Sequence, residues 1–111
     1  MRGEVVCLIG STRFESAFRK LEVKLSLEGE IVLSPLVYNQ HGDNPGCGLE
    51  NKSNLDDLQK MKIDMCDKVL VVDANNPKED GYVGKSTMDQ IIYAQRLGKV
   101  VKYLSKENIE L

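Results

Sequence analysis

Near its start the chain reads Val5-Val6-Cys7-Leu8-Ile9-Gly10-Ser11-Thr12-Arg13, the most informative stretch for its architecture. An unbroken apolar run that is rich in β-branched residues is typical of a strand buried on both faces of a parallel sheet. The glycine ends this run, and the hydroxyl of Ser11 or Thr12 can cap a helix that follows. The stretch therefore predicts a strand, a tight turn and a helix, which together open an α/β domain.

Strands and helices are predicted to alternate along the rest of the chain. Apolar residues at helical spacing predict a first helix that ends near Gly29 and is buried through Phe14, Ala17, Phe18, Leu21 and Leu25. Further strands are predicted at residues 31–37, 68–73 and 99–104, and Pro35 places the first of these at a sheet edge or shortens it. We therefore expect a single α/β domain over residues 1–111. It is Rossmann or flavodoxin-like, with a small parallel sheet in the order 2-1-3-4 flanked by helices.

Two further helices are indicated by capping patterns. Ser53-Asn54-Leu55-Asp56 overlaps the end of a polar loop at residues 38–54, and Ser86-Thr87-Met88-Asp89 follows a loop at residues 74–85. Both resemble capping boxes with aspartate in the acidic position. Helical spacing predicts their buried faces, which are Leu55, Leu58, Met61 (or Lys62) and Met65 in the second helix and Met88, Ile91, Ile92, Ala94 and Leu97 in the third.

Composition restricts the partners and the compartment. The 111 residues carry 15 basic and 17 acidic side chains, a net charge of −2, so no basic face for nucleic acid is expected. The apolar run at residues 5–9 is too short for a signal-peptide core or a membrane span. The cysteines number 3, an odd count without a CxxC pair, which favours a reducing compartment. We therefore expect a cytoplasmic protein whose partner is a small molecule, with no nucleic-acid or membrane partner.

Two loops carry the candidate binding residues. In a sheet of this order, ligands bind outside the carboxyl ends of the strands, at the switch point between neighbours. Gly10, Ser11 and Arg13 lie on the loop after the first strand, where a glycine permits close approach and a helix start favours anions. Gly84 and Ser86 lie at the start of the third helix, which can accept a ligand oxygen in the same way.

Several other residues have a plain structural alternative. Asp73 ends the third strand, and it either accepts a hydrogen bond from a ligand hydroxyl or only terminates the strand. Gly84-Lys85-Ser86-Thr87 looks like the tail of a P-loop, but Glu79 stands where that motif needs a glycine. Gly46-Cys47-Gly48 lacks the strand and later glycine of a dinucleotide fingerprint. His41 is the only histidine and is expected in a surface loop, so no metal site and no cofactor are predicted.

Several segments together resemble a known family. They are Val6-Cys7-Leu8-Ile9-Gly10-Ser11-Thr12-Arg13, Asp67-Lys68-Val69-Leu70-Val71-Val72, Gly81-Tyr82-Val83-Gly84-Lys85-Ser86-Thr87, Tyr93-Ala94 and Gly98-Lys99-Val100. In this order they are similar to successive segments of the nucleoside 2-deoxyribosyltransferase superfamily, especially its short bacterial and phage-like members. The resemblance spans most of the chain. It implies a nucleoside or nucleotide ligand and a homodimer or higher homo-oligomer.

The resemblance also implies a reaction. Family enzymes cleave the N-glycosidic bond of a deoxynucleoside or its monophosphate: a glutamate attacks the anomeric carbon, and base or water then takes the sugar. That glutamate lies four residues before the alanine that is Ala94 here, a position occupied by Gln90. A glutamine amide is a poor nucleophile. The adjacent Asp89 points about 100° away on a helix of 3.6 residues per turn.

Three hypotheses follow. The leading one is a nucleoside- or nucleotide-binding protein related to the deoxyribosyltransferases, in which N-glycosidic cleavage or deoxyribosyl transfer is very slow or lost. The alternative is a catalytically degenerate nucleotide-sensing or interaction module, and the third is an oligomeric structural domain without a ligand. The catalytic candidates are Gln90 and Asp89, and the substrate-binding candidates are Gly10, Ser11, Arg13, Asp73, Gly84 and Ser86.

Overall fold

The computed structural model describes residues 3–35 and 49–111, and of residues 49–54 it describes the backbone alone. The elements are β1 (Val5–Gly10), a 3-10 turn (Thr12–Phe14), α1 (Glu15–Leu27), β2 (Ile31–Leu33), α2 (Leu49–Met65), β3 (Lys68–Val72), α3 (Lys85–Arg96), β4 (Val100–Tyr103) and a second 3-10 turn (Leu104–Lys106). All strands of the described part pair in parallel, in the order β2-β1-β3-β4. The predicted fold class and strand order are confirmed.

Helices cover both faces of the sheet, which explains why β1 and β3 are apolar at almost every position. Successive side chains of a strand point to opposite faces, so Val6 and Leu8 of β1 face α1 while Cys7 and Ile9 face α2 and α3. On the α1 face the core also includes side chains near the end of the chain. The predicted stripe of α1 is buried throughout: Phe14, Ala17, Phe18, Leu21 and Leu25.

The second helix begins earlier than its sequence pattern predicted. α2 starts at Leu49, so residues 49–54 belong to the helix and not to the preceding loop. Ser53 therefore lies inside α2, and the capping box predicted at residues 53–56 is wrong. No glycine or proline occurs between Leu49 and Met65, so nothing in that stretch prevents the helix from starting directly after Gly48.

The buried face of α2 also differs from the prediction. Gln59, Ile63 and Cys66 are buried against the sheet, whereas Met61 and Met65 are exposed, Met65 by 68%. Both sets recur at helical spacing, so periodicity cannot choose between them. Packing against the sheet determines the buried face, because Ile63 and Cys66 pack among the β1 and β3 side chains that face α2.

The buried glutamine of α2 compensates for a proline in β2. The carbonyl of Glu4 accepts a hydrogen bond from the Ile31 N–H at 2.8 Å. If this parallel register continued, the Leu8 carbonyl would face the nitrogen of Pro35, which carries no hydrogen. The Gln59 Nε2 donates to the Leu8 oxygen at 3.1 Å instead. β2 therefore ends at Leu33 as an edge strand, as Pro35 predicted, and α2 supplies the missing donor.

We expect Gln59→Met to lower the free energy of unfolding by about 1–3 kcal/mol, because it keeps the side-chain volume but removes the amide donor of the buried Leu8 carbonyl. Only a long contact from the Cys7 thiol, at 4.0 Å, would then remain on that carbonyl. Urea denaturation monitored by circular dichroism measures the change. The matched control is Gln95→Met, since Gln95 is exposed on α3. Equal stability losses in the two variants would contradict the assigned role of Gln59.

Candidate functional site

The candidate site lies at the carboxyl ends of β1 and β3, which are neighbours in the sheet. Gly10 is the last residue of β1 and pairs with Val72 of β3. Its φ of 150° belongs to the region that side chains rarely adopt, and a Cβ there would collide with the Val72 carbonyl. Only glycine therefore lets the two strands end side by side, which brings their following loops together.

Ser11 organises the first of these loops. Its side-chain oxygen accepts a hydrogen bond from the Arg13 N–H at 3.3 Å and so caps the 3-10 turn that leads into α1. Sequence predicted that Ser11 or Thr12 caps the first helix, but Ser11 caps the 3-10 turn instead, and the N-cap of α1 is Phe14, without a side-chain bond. A ligand contact by the Ser11 hydroxyl stays a prediction.

Arg13 stacks on a tyrosine from the second loop. The guanidinium carbon of Arg13 lies 4.0 Å from the centre of the Tyr82 ring, and Phe14 meets that ring edge-on with centroids 6.4 Å apart. Such contacts between a cation and a ring face, and between ring edges, are attractive. Tyr82 therefore joins the loop after β1 to the loop after β3. It is absent from the site residues predicted by sequence, although it stands within the segment Gly81–Thr87 that carries the family resemblance.

Asp73 has its partners inside the protein. The side chain is only 3% exposed, and its two oxygens accept hydrogen bonds from the Ser105 N–H at 2.9 Å and the Ser105 hydroxyl at 2.6 Å. Its backbone carbonyl accepts from the Tyr82 N–H at 2.7 Å. A Cβ on Gly81 would collide with the same carboxylate. Asp73 thus ties the second loop to the chain after β4, and its contact with a ligand stays a prediction.

The third helix opens without a side-chain cap. Its N-cap is Gly84, which has no side chain to cap the helix and whose carbonyl accepts from the Met88 N–H at 2.9 Å. Ser86 lies inside that turn and is exposed, so the capping box predicted at residues 86–89 is wrong. The helix starts at Lys85 because Gly84 already has extended geometry at the cap position. The free N–H groups of this turn and the helix dipole favour an anion.

The buried face of α3 differs from the prediction. The buried residues are Thr87, Gln90, Ile91 and Ala94, so the buried face is shifted toward two polar residues that the hydrophobic pattern did not include. The exposed members of the predicted stripe are Met88, Ile92 and Leu97.

Gln90 and Asp89 are neighbours on α3 and therefore point in directions about 100° apart, one toward the protein and one toward solvent. Gln90 is 8% exposed and lies on the sheet-facing side of α3. Asp89 is exposed to solvent. α3 packs against β1 as well as β4, so Gln90 lies one turn along the helix that opens at the candidate site. An amide, and not a carboxylate, therefore occupies the inward position.

The described cysteines are not suited to nucleophilic chemistry. Burial, with a smaller effect of Cys66, raises the pKa of Cys7 to about 12. Burial is also the main cause that raises the pKa of Cys66. Both thiols are therefore protonated at neutral pH and belong to the core between the sheet and α2. Within residues 3–35 and 49–111, no cluster of histidine, cysteine, aspartate or glutamate side chains could hold a metal ion.

Two sequence features lie outside the described residues: His41 and the segment Gly46-Cys47-Gly48. Among the helices of the described part, none combines the length and the apolar character needed to cross a membrane. Comparisons of the chain with protein-family models, with curated proteins and with solved structures found no match.

Proposed function

We propose that this protein binds a nucleoside or nucleotide at the carboxyl ends of β1 and β3. The observation that carries the proposal is that Arg13 stacks on the ring of Tyr82, whose hydroxyl lies beside Gly84, the N-cap of α3. A guanidinium and a helix N-terminus are two groups that bind phosphate, and here they flank the switch point of the sheet. The resemblance to the deoxyribosyltransferases supports a nucleoside as the remainder of the ligand.

Catalysis is a separate part of the proposal. The inward position of α3 holds the amide of Gln90, which cannot form a stable glycosyl ester, and Asp89 is exposed. N-glycosidic cleavage or deoxyribosyl transfer is therefore proposed as a very slow activity of the native protein. The alternative is a nucleotide-sensing or interaction module with no turnover, and the same glutamine favours it. A homodimer or higher homo-oligomer remains a prediction from the family resemblance.

A thermal-shift titration tests ligand binding. We expect deoxynucleoside monophosphates to raise the melting temperature, because a ligand at 100 times its dissociation constant adds about 2.7 kcal/mol to the stability of the folded state. Arg13→Ala should remove most of this rise, since it removes the charged partner of the phosphate. The matched control is Arg96→Ala, which removes an exposed arginine from the opposite end of α3. A broad panel of nucleosides and nucleotides that leaves the wild-type melting temperature unchanged would overturn the proposal.

A further inference from the structure

Tyr82 is held on several sides, and this gives its ring a defined place in the site. The backbone N–H of Tyr82 bonds to the carbonyl of Asp73, at the buried end of β3. Phe14 packs edge-on against its ring at an interplanar angle of 61°. A Cβ built on Gly84 would lie 3.4 Å from the Tyr82 hydroxyl, so the hydroxyl lies beside the N-cap of α3. Tyr82 nevertheless remains 43% exposed.

The ring in turn restricts Arg13. An exposed arginine ordinarily samples many rotamers, and ordering it for a ligand lowers the affinity. Here the guanidinium lies at 4.0 Å over the ring centre, a distance typical of stacking. A stacked guanidinium keeps the N–H groups on its edges free, and these groups match two oxygens of a phosphate.

We propose that Tyr82 is a positioning residue that holds Arg13 for the phosphate of a nucleoside monophosphate, so that the site prefers phosphorylated over free nucleosides. This inference rests on the proposed nucleotide-binding function. Because Tyr82 acts through Arg13, its contribution is confined to the phosphate-bearing ligand.

Isothermal titration of two probes, a deoxynucleoside 5′-monophosphate and the same deoxynucleoside without phosphate, tests this specificity. We expect the wild-type protein to bind the monophosphate at least about tenfold more tightly, as expected when a charge-assisted contact is added. Tyr82→Leu should weaken monophosphate binding by about tenfold and leave nucleoside binding unchanged. Tyr82→Phe retains the ring and should bind both probes as the wild type does. Arg13→Lys retains the charge without the planar fork and should behave as Tyr82→Leu does.

The outcomes separate the two proposals. If the wild type binds neither probe, the nucleotide-binding function is overturned and the positioning role with it. If the wild type binds the monophosphate but Tyr82→Leu weakens both probes equally, or weakens neither, the positioning role alone is overturned. Melting curves of the free variants identify any loss of folding. If Tyr82→Leu does not fold, the inference is decided by Arg13→Lys. The loss of affinity in that variant must then be confined to the monophosphate.

Discussion

Gln90→Glu is expected to raise the rate of base release from deoxynucleosides or their monophosphates by about 100-fold or more. This factor is much smaller than the loss of rate that other enzymes show when their nucleophile is removed. The native amide supplies neither the negative charge nor a stable ester for retaining glycoside chemistry. Gln90 already lies on the sheet-facing side of α3, and a glutamate carboxylate has nearly the same shape as the amide it replaces. A sugar already positioned by the fold would then meet a competent nucleophile. Chromatography of the released base measures the rate.

The matched control for this experiment is Asp89→Asn, which changes the neighbouring, exposed side chain. It is expected to leave the slow wild-type rate unchanged. Robust wild-type turnover that Asp89→Asn abolishes would identify Asp89 as the nucleophile. Robust wild-type turnover that survives Asp89→Asn would refute both assignments. A Gln90→Glu variant that binds nucleotide yet releases no base would favour the sensing or interaction module.

The strands and the first helix could be predicted because only one interpretation fits each of their hydrophobic patterns. β1 and β3 are continuous apolar runs, and α1 has a single apolar stripe that the structure buries in full. α2 has two competing faces, and the one that packs on the sheet includes a glutamine. No hydropathy pattern marks Gln59 as buried. The reason for its burial is the missing N–H of Pro35, which matters only once the strand register is known.

The sequence was sufficient to predict where the candidate site lies, but not which side chains contact each other there. Parallel topology alone puts the loops after β1 and β3 side by side, so Gly10, Arg13 and Gly84 were expected near one another. The stacking of Arg13 on Tyr82 depends on the path of the second loop, which the Asp73–Ser105 bonds and the Asp73–Tyr82 backbone bond hold in place. These contacts join residues far apart in the chain, and local patterns carry no signal for them.

The largest loss of stability is expected from Gly10→Ala. The new Cβ meets the Val72 carbonyl, which is backbone in the centre of the sheet and cannot rotate away. The φ of 150° adds strain for any residue with a side chain. Together these effects should lower the free energy of unfolding by about 3 kcal/mol or more, a large share of the stability of a small domain. Urea denaturation measures the change.

Gly98→Ala separates the collision from the backbone strain. Gly98 also has a positive φ, 77°, but nothing lies within 4 Å of a Cβ built there. Strain alone should lower the free energy of unfolding by about 1–2 kcal/mol. The additional loss of unfolding free energy in Gly10→Ala, compared with Gly98→Ala, then reports the cost of the collision between the new Cβ and β3 at the carboxyl ends of the strands. If the two variants lose the same stability, Gly10 is required only for its backbone angle. The close approach of the strand ends would then not explain how Arg13 reaches the ring of Tyr82.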